Sequence, residues 1–247
     1  MKQKSEMNEW FATWFNSPYY HLLYNNRSER EANIFLDNLI LELKPANNTT
    51  VLDLACGAGR HARALAKYGL SVSGCDLSPN SIEEAKRISS SDIHFFVHDM
   101  RNALPEKYIF VFNLFTSFGY FESQLENLKV LQSVHNALLP DGLLVLDFMN
   151  VEKVKANLKS EETIQRDSIA FSIRRKIENG IIIKDISFTD HEKAYSFQER
   201  VQALTEKDFE KLLTDAKFVI TKKAGDYQLT PFDEKNSDRL ILFCKKI

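Results

Sequence analysis

Apolar positions recur at helical spacing through the first 45 residues and in short strand-length runs thereafter. Residues 6–15 and 28–43 read as helices, the second carrying Ile34, Leu36, Leu39, Ile40 and Leu43 along one stripe. Asn47-Asn48-Thr49-Thr50 marks a turn. Val51-Leu52-Asp53-Leu54 then reads as a buried strand, 59–68 as a helix ended by Gly69, and Ser71–Cys75 as a second strand. Ser78 as N-cap with Pro79 in the first helical position opens a helix over 79–89. Ile93–Val97, Tyr108–Leu114 and Leu143–Phe148 give three more strands, with a helix at 122–138 between the last two. Five strands joined by helical crossovers need a parallel sheet covered on both faces.

After residue 150 the pattern changes. Arg166–Ile177, Ile181–Thr189 and Ala194–Leu204 predict a three-stranded antiparallel meander, with Asn179-Gly180 as a tight turn. Thr205 caps a helix to about residue 215, with Asp208 in its first turn, and Phe218–Ala224 and Leu240–Cys244 close the chain as a hairpin. The whole of 1–247 is expected to be one domain. Residues 1–45 form a helical lid, 50–150 the ligand-binding core, 165–204 an insertion over the site, and 205–247 the closing helix and hairpin. The meander is too small to hold a core of its own.

Composition narrows the function classes. The fractions of 44% hydrophobic and 27% charged residues are ordinary for a soluble globular chain. A net charge of −2 supplies no field toward nucleic acid or an anionic membrane, and neither partner is expected. Basic runs such as Arg174-Arg175-Lys176 and Lys245-Lys246 read as solvated strand ends. Three cysteines, Cys56, Cys75 and Cys244, without C-x-x-C spacing argue against a disulfide framework and a structural zinc. The polar N-terminus does not read as a signal peptide, so a reduced cytoplasm is the expected location.

The strongest motif is Asp53-Leu54-Ala55-Cys56-Gly57-Ala58-Gly59-Arg60, a glycine loop between a buried strand and a helix, where bare backbone lets a ligand approach. Gly57-x-Gly59-x-x-Ala62 also satisfies the dinucleotide fingerprint, so an NAD-dependent oxidoreductase is one alternative. Asp53 points elsewhere. A carboxylate inside an apolar strand is costly unless it meets donors or a cation, and an anionic pyrophosphate supplies neither. Asp76 and Asp99 close the second and third strands, which brings three acids to the carboxyl edge of one sheet.

The stretch Val51–Arg60, then Gly74-Cys75-Asp76-Leu77-Ser78, then Asp99-Met100, resembles the class I S-adenosylmethionine-dependent methyltransferases. Leu139-Pro140-Asp141-Gly142 before the fifth strand and the terminal hairpin fit the same family. The resemblance implies a Rossmann-like α/β fold with a mostly parallel seven-stranded sheet, and S-adenosylmethionine as cofactor. It implies that Asp53 and the backbone of Ala55 and Gly57 hold the methionine part, with Cys56 and Gly59 in the same loop. Asp76 would hold the ribose, Leu77 and Ser78 would lie along the adenine side, Asp99 with Met100 would frame the base, and Asn113-Leu114-Phe115 would line the sulfonium end. Two departures stand out. Tyr108-Ile109-Phe110 lacks the acid common at the start of the fourth strand, and Ala216-Lys217-Phe218 replaces Ala-Gly-Phe.

Methyl transfer from a sulfonium is an in-line displacement that positioning can accelerate, so no catalytic triad is required. The acceptor is expected to be a small molecule, and the chain a monomer or homodimer. Catalytic candidates are Tyr20 in Tyr19-Tyr20-His21-Leu22-Leu23-Tyr24, Tyr120 after the fourth strand, and Arg175 on the apolar face of the meander. The plainer reading of Arg175 is a structural pair with Glu199. His94 and His98 on a strand do not make the helical metal pattern, His61 reads as a packing or capping residue, and no metal is expected. A catalytically silent cofactor-binding protein and a nucleic-acid methyltransferase are the remaining alternatives.

Overall fold

The computed structural model describes residues 10–24 and 29–247 of the chain. Two short helices, α1 (Trp10–Phe15) and α2 (Pro18–Tyr24), precede α3 (Glu29–Leu43). Residues 6–9 and 28 of the helices expected at 6–15 and 28–43 lie outside the described residues. The core then runs β1 (Thr50–Leu54), α4 (Arg60–Ala66), β2 (Ser71–Asp76), α5 (Pro79–Ile88), β3 (His94–Val97), β4 (Tyr108–Asn113), α6 (Gln124–Ala137) and β5 (Leu138–Met149). Ser78 caps α5 by accepting the Ser81 amide, and Ser123 with Glu126 forms a capping box on α6.

The main sheet has seven strands, closed by β10 (Phe218–Ala224) and β11 (Arg239–Lys246), in the order β10-β11-β5-β4-β1-β2-β3. β1 pairs in parallel with β2 on one side and β4 on the other, so the crossovers leave from β1 in both directions. That switch point opens a crevice at the carboxyl ends of β1 and β4, where open α/β sheets take ligands. β11 runs antiparallel to β5, and β10 to β11. α8 (Glu206–Asp215), capped by Thr205 and Asp208, packs beside β10. No helix among the described residues is long and apolar enough to cross a membrane.

The insertion differs from the expected meander. It begins with α7 (Val151–Ala156) and holds four strands, β6 (Glu161–Arg166), β7 (Ile169–Glu178), β8 (Ile181–Asp190) and β9 (Lys193–Gln202), in sequence order. The strand expected at Arg166–Ile177 is β7, which starts at Ile169 after a turn at Asp167 where φ is +47°, and β6 before that turn was not expected. β6 was invisible to an apolar pattern because Glu161–Arg166 buries no side chain. The core of this sheet comes from the N-terminus. Ile169, Phe171, Ile173, Ile186 and Phe188 pack with Trp14 and Leu23, at roughly 2–3 kcal/mol for each large side chain fully buried. Ile182 and Val201, toward the other end, join the core of the main sheet. The second helix, α2, therefore clasps the insertion rather than standing free as a loop.

Candidate active site

β1 ends at Leu54, and the chain then bends through left-handed Ala55 (φ 63°), Gly57 (φ 53°) and Gly59 (φ 76°) into α4. Gly59 is there for space: a Cβ would lie 2.6 Å from the Phe95 ring. Gly57 is open, with nothing within 4 Å of the position a Cβ would take. Behind the loop, Asp53 is 1% exposed and accepts the Ala62 amide at 3.0 Å. Burial pushes its carboxyl up to about 7, with the Ala62 hydrogen bond only partly offsetting the effect. Asp76, at the end of β2, accepts the amides of Gly57 and Ser78, each at 2.8 Å, and burial raises its carboxyl as well. Asp99 is different. Burial pushes it up, but four hydrogen bonds from Arg101, the shortest 2.6 Å, hold it below the usual carboxylate range.

Two adjoining chambers lie over this edge. The first, of about 110 Å³, is lined by Ala55, Gly57, Asp76, Leu77, Asp99 and Met100. Its roof is aromatic, built from Phe11 and Phe15 of α1, Tyr20 of α2, and Tyr120 and Phe121 of the loop after β4. Phe15 lies 4.9 Å from Tyr20 and 5.2 Å from Tyr120, centroid to centroid. The roof is tied down by Asn16, whose Oδ1 accepts the Ser78 hydroxyl at 2.8 Å. The second chamber, of about 330 Å³, shares Tyr20, Ala55, Gly57 and Ser117 with the first and adds Cys56, Arg60, Arg63, Leu114 and Phe115. His21 also faces it, and burial lowers its imidazole against the pull of Asp76.

A profile of the methyltransferase-domain family matches residues 45–218. The chain belongs to that family. It is a class I S-adenosylmethionine-dependent methyltransferase in fold: it superposes on an S-adenosylmethionine-dependent methyltransferase from Clostridium acetobutylicum with a TM-score of 0.77 at 20% identity, covering 92% of this chain and 96% of that one. An S-adenosylmethionine-bound amino pentose methyltransferase from Micromonospora echinaspora gives a TM-score of 0.69 at 17% identity over 90% and 93% of the two chains. In sequence, YqeM of Bacillus subtilis, designated a methyltransferase, is 27% identical over 79% of this chain and 83% of its own. A dTDP-amino-sugar N,N-dimethyltransferase of Streptomyces fradiae is 33% identical over 40% of this chain and 38% of its own. The family match decides against the oxidoreductase alternative.

In this methyltransferase, nine of the positions expected at the cofactor, together with Tyr20 and Tyr120, divide between the chambers. Asp76, Leu77, Asp99, Met100 and Tyr120 face the first, Cys56, Leu114 and Phe115 the second, and Tyr20, Ala55 and Gly57 both. Asp53, Gly59, Ser78 and Asn113 stand behind the walls. Asn113 donates to the Leu54 carbonyl at 3.1 Å, and its Oδ1 is buried with no partner among the described residues. Arg175 is not with them. It lines a separate groove with Lys159 and Glu162, and its guanidinium pairs with Glu162. The expected partner, Glu199, instead accepts from Trp14 Nε1 at 2.7 Å and Tyr24 at 2.5 Å, and faces Lys184 across the strands at 3.6 Å. Lys184 occupies the row between Arg175 and Glu199, which separates the two by a full strand.

Sequence reasoning missed Phe11, Phe15, Arg60 and Arg63 as wall residues. The i, i+4 pair of phenylalanines on α1 and the two arginines in the first turn after the glycine loop were the available signals.

Proposed function

We propose that the chain transfers a methyl group from S-adenosylmethionine to a small-molecule acceptor, with the adenosine portion in the first chamber and the transfer region in the second. One observation carries this reading. Two carboxylates, Asp53 buried and Asp76 half-buried, border the glycine loop held by backbone amides, with no ion pair among the described residues. Burial makes their charge unfavourable, and a ligand carrying positive charge and paired hydroxyls relieves it.

The residues present fit that ligand. Asp76 is placed at a strand end to accept ribose hydroxyls, Leu77 and Met100 offer apolar faces for adenine, and the open backbone at Gly57 admits the amino-acid portion. When bound, S-adenosylmethionine supplies an electrophilic methyl group on a sulfonium. The aromatic roof of Phe11, Phe15, Tyr20 and Tyr120 covers the first chamber and excludes water, and Tyr20, which faces both chambers, helps orient the acceptor, the contribution an in-line displacement most needs. Amino sugars are the first acceptor class to screen, because relatives from Streptomyces fradiae and Streptomyces venezuelae are named as dTDP-amino-sugar N,N-dimethyltransferases. Calorimetric titration of S-adenosylmethionine and of NAD into the full chain tests the reading. Binding of the sulfonium ligand alone is expected, and binding of NAD alone overturns it.

A further inference from the structure

Phe115 and Thr116, directly after β4, both adopt left-handed backbone conformations, with φ of 56° and 61°. Such conformations are strained for residues with a Cβ and persist where the surroundings impose them. Phe115 is also a wall of the second chamber. Its ring lies 4.8 Å from His61 and 5.0 Å from Tyr227, with the Arg60 guanidinium 4.9 Å above it.

What imposes the bend lies outside the loop. Asp147 of β5, 0% exposed, accepts the Phe115 amide through Oδ2 at 2.8 Å, and its own carbonyl accepts the Thr116 amide at 3.0 Å. Its other carboxylate oxygen accepts Arg239 Nε at 2.8 Å, while Arg239 Nη2 donates to Thr116 Oγ1 at 2.9 Å. The Tyr227 hydroxyl donates to Oδ2 at 3.4 Å. A buried ion pair is commonly no more stabilising than apolar residues of the same volume, so its presence here calls for a local reason. Its hydrogen bonds supply one, because one from each partner ends on the two strained residues, beside the backbone bond from the Thr116 amide to the Asp147 carbonyl. Neither Asp147 nor Arg239 lines either chamber.

We propose that Asp147 and Arg239, assisted by Tyr227, are positioning residues that clamp the loop after β4 and thereby set the Phe115 wall beside the amino-acid half of the cofactor. The inference rests on the proposed function, with the amino-acid half of the cofactor running past Gly57 into the second chamber.

The test compares S-adenosylhomocysteine with 5′-methylthioadenosine, which lacks the amino-acid portion. Both are titrated into the wild type and into Asp147→Asn/Arg239→Gln, a double replacement that leaves no lone buried charge. Loss of the clamp is expected to weaken S-adenosylhomocysteine roughly tenfold while 5′-methylthioadenosine changes by less than about twofold. Amide exchange over residues 113–121 should quicken in the variant, and exchange in β1 should not. Adding Thr116→Gly, which takes the left-handed conformation without strain, should recover S-adenosylhomocysteine binding to within about threefold of wild type. Equal weakening of both ligands, unchanged loop exchange, or failure of the glycine to rescue overturns the proposal. If the wild type binds neither nucleoside, the methyltransferase reading falls instead, and the exchange data alone decide the clamp.

Discussion

Partly or fully buried carboxylates occur in both sheets, and the two that border the glycine loop are treated in the opposite way to those of the four-stranded sheet. On the seven-stranded sheet, Asp53 and Asp76 are held by amides of the glycine loop and its flanks, and burial raises both. On the four-stranded sheet, Glu162 is joined to Arg175, which holds its carboxyl below the ordinary value, and Glu199 is shared by Trp14, Tyr24 and Lys184. An acid neutralised by its own fold is part of the scaffold. An acid held only by dipoles is pushed toward its neutral form, and a positively charged ligand can draw it back to the charged one. Asp99 lies between the two cases, at the ligand edge but already satisfied by Arg101.

The comparison breaks first at Asp76. On the proposed function Asp76→Ala removes an acceptor of two ribose hydroxyl bonds, each worth roughly 1.5–3 kcal/mol, so S-adenosylmethionine binding should fall by at least about tenfold in calorimetry. An unchanged affinity would make Asp76 a mere anchor for the Gly57 and Ser78 amides.

Asp53 sharpens the contrast through pH. Its carboxyl holds a proton to about pH 7 in the folded chain, against an ordinary value of 3.8. Between those values the folded state binds the extra proton, so this group's contribution to stability falls as pH rises from about 4 to about 7 and stays low above that. Asp53→Asn keeps an acceptor for the Ala62 amide without the charge. Its melting temperature should therefore gain on wild type between pH 5 and pH 8, by a few degrees for an effect on the order of 1 kcal/mol. Cofactor affinity should move the other way: a positively charged ligand favours the ionised acid, so wild-type binding strengthens up to about pH 7 and the variant's does not. Parallel melting curves for the two proteins would show that Asp53 does not titrate in this window.

These acids were legible because the strand pattern places Asp53, Asp76 and Asp99 at or near successive strand ends, next to a glycine loop whose Gly57 leaves bare backbone open. The main sheet followed from the same alternation. The accessory sheet resisted because its signals are relational. Glu161–Arg166 has no apolar face, so only its pairing with β7 reveals a strand. Trp14 and Leu23 complete a core whose other members lie about 150 residues later, a contact that no local pattern encodes. The clamp on Phe115 joins β5 to β11 in the same way.

Arg175 illustrates the limit most plainly. Sharing an apolar sheet face with Glu199 made the pair look natural, since alternation fixes which way a side chain points. It does not fix register. Arg175 stands opposite Lys184, Lys184 stands opposite Glu199, and strands two apart are separated by about 10 Å. Glu162, one strand over in the other direction, was available instead because β6 exists. The pair is about a fifth exposed on both sides, at 21% and 20%, where water screens the attraction and such bridges contribute about 0–1 kcal/mol. Arg175→Met should therefore lower the melting temperature by no more than about 4 °C and leave S-adenosylmethionine binding and acceptor turnover unchanged. A loss of turnover with cofactor affinity intact would return Arg175 to the site, and would mean that the groove it shares with Lys159 and Glu162 communicates with the acceptor.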